Sequence, residues 1–151
     1  MSALLFRFVV YGLLGWALEI TWNAGHRALS PQPDLVGGRW RLAGVTYLWM
    51  FPIYGSMVFL YEPLHGVLRA WPWPGRATAY AAAFMAVEYA AGWLIRRATG
   101  TCPWEYAGRA RWHVHGLVRL DYAPAWALLG LALEPVHDFL VRLTPLALQA
   151  L

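Results

Sequence analysis

The chain has no lysine, a single cysteine and little charge of either sign. Only 13% of its 151 residues are charged, and all twelve bases are arginine against eight acids. Soluble domains carry about 25% charged and 45–50% apolar residues. This chain is 60% hydrophobic and holds ten tryptophans, more apolar surface than one small domain can hide, which excludes a water-soluble globular fold. The lone Cys102 excludes an internal disulfide and a cysteine-rich metal site and reads as a reduced thiol. No phosphate-cradling glycine loop, nucleophile elbow or zinc motif is present. The net charge of +4 is not a nucleic-acid footprint, because the arginines follow the apolar pattern instead.

That pattern consists of four stretches, Ala3–Asn23, Gly44–Leu68, Ala77–Ile95 and Asp121–Leu143. Each is near the roughly 20 residues that cross a bilayer. An all-α, polytopic membrane bundle of about four transmembrane helices is expected, as a single integral membrane domain over residues 1–151. The first stretch carries Arg7 and Glu19 and lacks a small-residue cleavage site, so it is not a removable signal. Arg27, Arg39, Arg41, Arg96, Arg97, Arg109, Arg111 and Arg119 follow the first and third stretches, against Arg7, Arg69, Arg76 and Arg142 on the opposite side. This asymmetry places the two longer loops in the cytoplasm and both termini outside.

The chain also repeats itself. At an offset of 72, Trp40, Gly44, Leu48, Pro52, Glu62, Pro63 and His65 recur as Trp112, Gly116, Leu120, Pro124, Glu134, Pro135 and His137. At an offset of 69, Tyr11, Glu19 and Arg27 answer to Tyr80, Glu88 and Arg96. Two tandem copies follow, repeat 1 over about 3–69 and repeat 2 over about 76–143, joined by the Trp- and Pro-rich link Ala70–Arg76. Each copy holds two spans, so both face the same way, about a pseudo-twofold axis along the membrane normal. Pro52 and Pro124 admit two readings: a long helix kinked there, or a helix that starts there. In the second, the residues before each proline form re-entrant or interfacial segments of the cytoplasmic loops. Gly12, Gly15, Gly55, Gly92, Gly130 and the run Ala81–Ala83 offer small surfaces for close helix contacts.

Four acids lie well inside the apolar stretches: Glu19, Glu62, Glu88 and Glu134. A carboxylate at membrane depth costs at least a few kcal/mol, so it faces a partner or water. Placed as two related pairs, they point to a shared polar centre that binds an ion, proton or substrate. The competing reading makes them interhelical glue, paired with Arg7, Arg96, Arg97 or tyrosine hydroxyls. Glu62-Pro63-Leu64-His65 and Glu134-Pro135-Val136-His137 are both Glu-x-x-His, whose ends share a helix face. With Glu19 and Glu88, they match the ligand count of a four-helix di-iron site, and a zinc site is the other metal alternative. Against a metal, Glu19 lies about 24 Å along its helix, and Pro63 and Pro135 distort the ligand-bearing turn. Without a metal, both histidines sit at the outer interface against headgroups. The loops add Trp40-Arg41, Cys102-Pro103-Trp104-Glu105-Tyr106, and Arg109, Arg111 and Trp112. These suit an aromatic anchor, or a vestibule that attracts anionic phospholipid. His113 and His115 alternate in a loop and carry little alone.

Gly15-Trp16-Ala17-Leu18-Glu19, Gly44-Val45-Thr46, Phe51-Pro52-Ile53-Tyr54-Gly55, Glu88 with Gly92-Trp93, Cys102-Pro103-Trp104-Glu105-Tyr106, Gly116-Leu117 and Trp126 form a recognisable set. From about Tyr11 to Glu134 the chain resembles the ABC-transporter type IV family of membrane proteins, which includes eukaryotic transmembrane protein 229. The Cys-Pro-Trp-acid-Tyr motif is the most specific part. The resemblance implies a multi-pass membrane protein with a transport label but no assigned reaction or catalytic residues. Glu19, Glu88, Trp104, Glu105 and Tyr106 match motif positions, with Glu62 and Glu134 beside them. His65 and His137 depart from the pattern, and many relatives have Asp at the position of Glu105. The sequence holds no nucleotide-binding motif, so an ATP-driven role needs an ATPase partner. With the all-arginine, alanine-rich composition, the resemblance implies a bacterial inner membrane. The expectation is a small transporter, permease or ion-conducting protein, assembled as a homodimer, with Glu19, Glu62, Glu88, Glu134, Trp104, Glu105 and Tyr106 as contacts. The alternatives are a membrane-embedded metal-dependent or lipid-modifying enzyme, and a structural or accessory membrane subunit.

Overall fold

The computed structural model describes residues 1–29 and 41–150. Within them the regular secondary structure is helical apart from one short strand pair. Helix α1 spans Ala3–Leu29, α2 Met50–Gly55, α3 Met57–Leu68, α4 Trp73–Thr99 and α5 Ala123–Ala150. The strands β1 (His113–Val114) and β2 (Val118–Arg119) pair antiparallel between α4 and α5. Arg39 and Trp40, the first match of the 72-residue repeat, lie outside the described residues.

Helices α1 and α4 are each 27 residues long and apolar enough to cross a membrane. Of the four expected stretches, only these two meet that test among the described residues. The second stretch is not one helix from Gly44: residues 44–46 carry no helix, α2 starts at Met50, and Ser56 separates α2 from α3. There the Ser56 hydroxyl donates to the Ile53 carbonyl at 2.6 Å, a local alternative to helix continuation. The fourth runs past Leu143 to Ala150, and it carries Glu134, Asp138 and Arg142. Ala24–Leu29 contains no proline, so α1 likewise continues beyond Asn23.

Both repeated prolines fall in the first turn of their helices, as the helix-start reading has it. Pro52 is the third residue of α2 and Pro124 the second of α5, where a missing N–H breaks no helical bond. Pro72 stands just before α4 with Pro74 in its first turn. Gly100 ends that helix at φ 82°, and its N–H bonds the Arg96 carbonyl at 2.8 Å.

The chain divides into two compact units, one of Met1–Leu60 with the residues from Thr144 on, the other of Tyr61–Leu143. In the first, α1 lies against α2 at glycines. A side chain at Gly12 would strike Phe51, one at Gly15 would strike Tyr54, and one at Gly55 would strike Phe8. The rest of α1 is largely uncovered: Leu4, Leu5, Leu13, Leu14 and Leu18 are exposed, a surface stable in lipid or against another apolar partner. In the second unit, Tyr61, Tyr80 and Leu117 are fully buried. Gly130 of α5 admits the Tyr80 ring of α4, and the Tyr61 hydroxyl donates to the Gly130 carbonyl at 2.8 Å. Phe84 extends this aromatic core to Trp126, ring centroids 5.8 Å apart.

Candidate functional site

The polar side chains of the second unit gather in two clusters. The first is built from α3, the start of α4 and the middle of α5. His65 is only 3% exposed, which removes it from any headgroup-facing role. Tyr80 lies between His65 Nδ1, at 2.8 Å, and Glu134 Oε1, to which its hydroxyl donates at 3.1 Å. A hydroxyl has one proton, so His65 Nδ1–H is the donor to Tyr80 and the lone pair of the neutral ring sits on Nε2. That nitrogen faces Arg69 Nη2 at 3.0 Å and Asp138 Oδ1 at 3.6 Å. Arg69 also pairs directly with Asp138. Arg76 binds both oxygens of Glu134, at 2.8 and 3.2 Å. The second imidazole, His137, stands edge-on to the first with centroids 5.0 Å apart, and its Nδ1 is 3.7 Å from Glu62 Oε1. An open pocket of about 400 Å³ reaches this cluster, lined by His65, Arg69, His137, Asp138 and Arg142.

Helical spacing explains the assembly. Glu134, His137 and Asp138 share one face of α5, and Glu62 and His65 share one face of α3, with Arg69 continuing it.

The second cluster joins the end of α4 to the loop that follows. Glu88 Oε1 accepts a 2.8 Å hydrogen bond from the Tyr106 hydroxyl. Burial, and then the Glu88 carboxylate, push that hydroxyl above its ordinary 10.0. Glu88 Oε2 is buried without a hydrogen-bond partner, as is Trp126 Nε1 on α5. Trp104 donates its indole N–H to the Leu117 carbonyl at 3.0 Å. Glu105 pairs with Arg96 at 2.5 Å and accepts from the Ala107 N–H at 3.1 Å. Cys102 is buried beside Gly92, where a Cβ would sit 3.1–3.4 Å from Leu117, Trp104 and Cys102. Burial raises the Cys102 thiol above its ordinary 9.0. Gly116 has φ 72°, and any side chain there would run into the Glu105 carboxylate. The Cys-Pro-Trp-acid-Tyr motif therefore closes its loop onto α4. Arg119 completes the cluster, its guanidinium 4.2 Å from the Tyr122 ring centroid.

In the first unit, Glu19 accepts from the Thr46 hydroxyl at 2.6 Å and the Tyr54 hydroxyl at 3.1 Å. Gly44 packs so closely on α1 that a Cβ would overlap the Ile20 carbonyl.

The expected site residues are thus distributed. Glu62, Glu134, His65 and His137 come together; Glu88, Trp104, Glu105 and Tyr106 form the second cluster, and Glu19 has its own partners. Sequence reasoning missed Asp138, Arg69, Arg76 and Tyr80 as members. Asp138 was legible in part, four residues after Glu134 and adjacent to His137.

The family model described as "Putative ABC-transporter type IV" matches residues 6–147. The chain belongs to that family. No solved structure matches it. Membership in the ABC-transporter type IV family, with two helices long and apolar enough to span a bilayer, makes this a membrane protein. In this family member the most specific motif, Cys102–Tyr106, ties a loop to a long apolar helix, and the histidine cluster lies elsewhere on that helix.

Proposed function

We propose that the chain is a small transport-type membrane component that moves an ion or proton through its histidine cluster. One observation carries this reading: a run of hydrogen bonds from Arg69 through His65, Tyr80 and Glu134 to Arg76, open to a pocket. Ionisable groups inside apolar helices cost at least a few kcal/mol and mark ion or proton routes. Glu62, Glu134 and Glu88 are the proposed ion contacts of α3, α5 and α4, and Glu19 that of α1. Trp104, Glu105 and Tyr106 shape the loop entrance.

In this reading the membrane is crossed four times by two tandem repeats, α1 with α2–α3 and α4 with α5. Paired positions support the repeat. Glu19 accepts from Tyr54, and Glu88 lies near Trp126 of α5, 72 residues on from Tyr54. Tyr11 and Tyr80 are both buried. Gly44 and Gly116 are both too closely packed for a side chain. The arginine-rich loops face the cytoplasm of a bacterial inner membrane and meet anionic phospholipid. An ATPase subunit supplies energy for any uphill step, and a homodimer is the proposed assembly.

Proteoliposomes loaded with a pH-sensitive dye test the reading. Wild type should dissipate an imposed proton or cation gradient, and Glu134→Gln and His65→Gln should abolish the flux while remaining folded. Flux unchanged by both variants, or absent from wild type, overturns it. A second reading, an accessory subunit held together by its acids, is favoured by how fully Glu105 is engaged by Arg96 and the Ala107 N–H. It predicts no flux from the chain alone.

A further inference from the structure

We propose that His65, His137 and Asp138 form a binding site for a divalent transition metal of the zinc class, with Arg69 occupying the cation's place in its absence. One ring nitrogen of each imidazole and a carboxylate oxygen of Asp138 lie within 4.8 Å of one another, the one such grouping among the described residues. Ligands held at about 2.0–2.2 Å from one metal lie at most about 4.4 Å apart, so metal binding would draw these three side chains slightly closer together. Two imidazoles and a carboxylate are a ligand set for zinc and its first-row neighbours, with further positions left for water.

Three features make this a built site. First, the hydrogen bonding of His65 selects the ligating nitrogen: Nδ1–H is committed to Tyr80, itself anchored on Glu134, so the lone pair on Nε2 points to Asp138. Second, Glu62 stands 3.7 Å from His137 Nδ1. Metal-bound histidines are held in this way, by a carboxylate or its relay at the far nitrogen. Glu62 and Glu134 are thus positioning residues for the two imidazoles, a different role from that of direct ligands. Third, a cationic group already sits between two ligands. Arg69 Nη2 contacts both His65 Nε2 and Asp138 Oδ1, so its charge meets the electrostatic demand of the site. The Arg69 side chain is 58% exposed just beyond the end of α3, free to withdraw when a metal takes its partners. The pocket provides the entry path.

The site stands apart from the transport reading, because its readout is metal occupancy. Full-length protein, purified in detergent without a histidine tag and stripped with chelator, is titrated calorimetrically with Zn²⁺ and with Mg²⁺. In parallel, Co²⁺ is followed by its visible d–d absorption. One Zn²⁺ per chain, intense Co²⁺ bands and no Mg²⁺ binding are expected. Asp138→Asn and His137→Gln should each weaken Zn²⁺ by at least about tenfold, and Glu62→Gln by about tenfold. Arg69→Gln should tighten it, because the internal competitor is gone. Zn²⁺ bound equally well by Asp138→Asn and His137→Gln overturns the site, as does absence of binding in both wild type and Arg69→Gln. If the ligand variants fail to fold, Arg69→Gln decides: tighter binding supports the site and unchanged binding overturns it.

Discussion

The Tyr106 hydroxyl and Glu88 Oε1, 2.8 Å apart, pin the loop after α4 to a carboxylate eleven residues before that helix ends. The other Glu88 oxygen has no hydrogen-bond partner, so this bond is the chief satisfaction of a buried acid.

Tyr106→Phe should therefore lower stability by about 1–3 kcal/mol, the cost of stranding a buried acceptor. A melting series in detergent, compared with Tyr122→Phe, checks this; an unchanged midpoint for Tyr106→Phe would show that the loop is held by other contacts.

Gly116→Ala should lose about 2 kcal/mol or more, combining the strain of φ 72° with collision against Glu105. Gly25→Ala, where nothing lies within 4 Å, should be neutral or gain about 0.5–1 kcal/mol from helix propensity. Chemical denaturation of the two variants side by side gives the contrast, and equal effects would contradict the geometry.

Glu134→Gln should strand Arg76, and Arg76→Gln should strand Glu134, each costing about 1–3 kcal/mol. The double variant should be less destabilised than the sum, because the cycle removes both halves of one pair. Additive melting shifts would refute that coupling.

The Cys102 thiol, raised above 9.0 by burial, should resist maleimide in the folded protein at pH 7.5 and react readily once unfolded in SDS. Its linkage has a definite sign. Below pH 9 the thiol is protonated in both states and stability is unaffected by it; above pH 9 the unfolded thiol ionises first, so stability falls. Cys102→Ser should flatten that alkaline limb.

Part of the fold was legible in the sequence. The unbroken apolar runs of α1 and α4 set two long helices, and Pro52 and Pro124 narrow the helix after each to a kink or a start at that point, since proline acts on backbone within one turn. The interruption at Ser56 and the extension of α5 to Ala150 were not, because a side-chain bond to Ile53 leaves no hydropathic mark and Pro145, just past Leu143, reads locally as a helix stop.

For the site, the order of residues already shows which chemistry is present: Glu-x-x-His twice, acids inside apolar runs, and the loop motif Cys102–Tyr106. The partners come from the packing of the helices. It brought Arg69 between His65 and Asp138, Tyr80 between His65 and Glu134, and Tyr106 onto Glu88. Helical periodicity specifies which residues share a face of their own helix. Which faces meet, and at what height, depends on packing at positions such as Gly130 against Tyr80, which no single helix encodes.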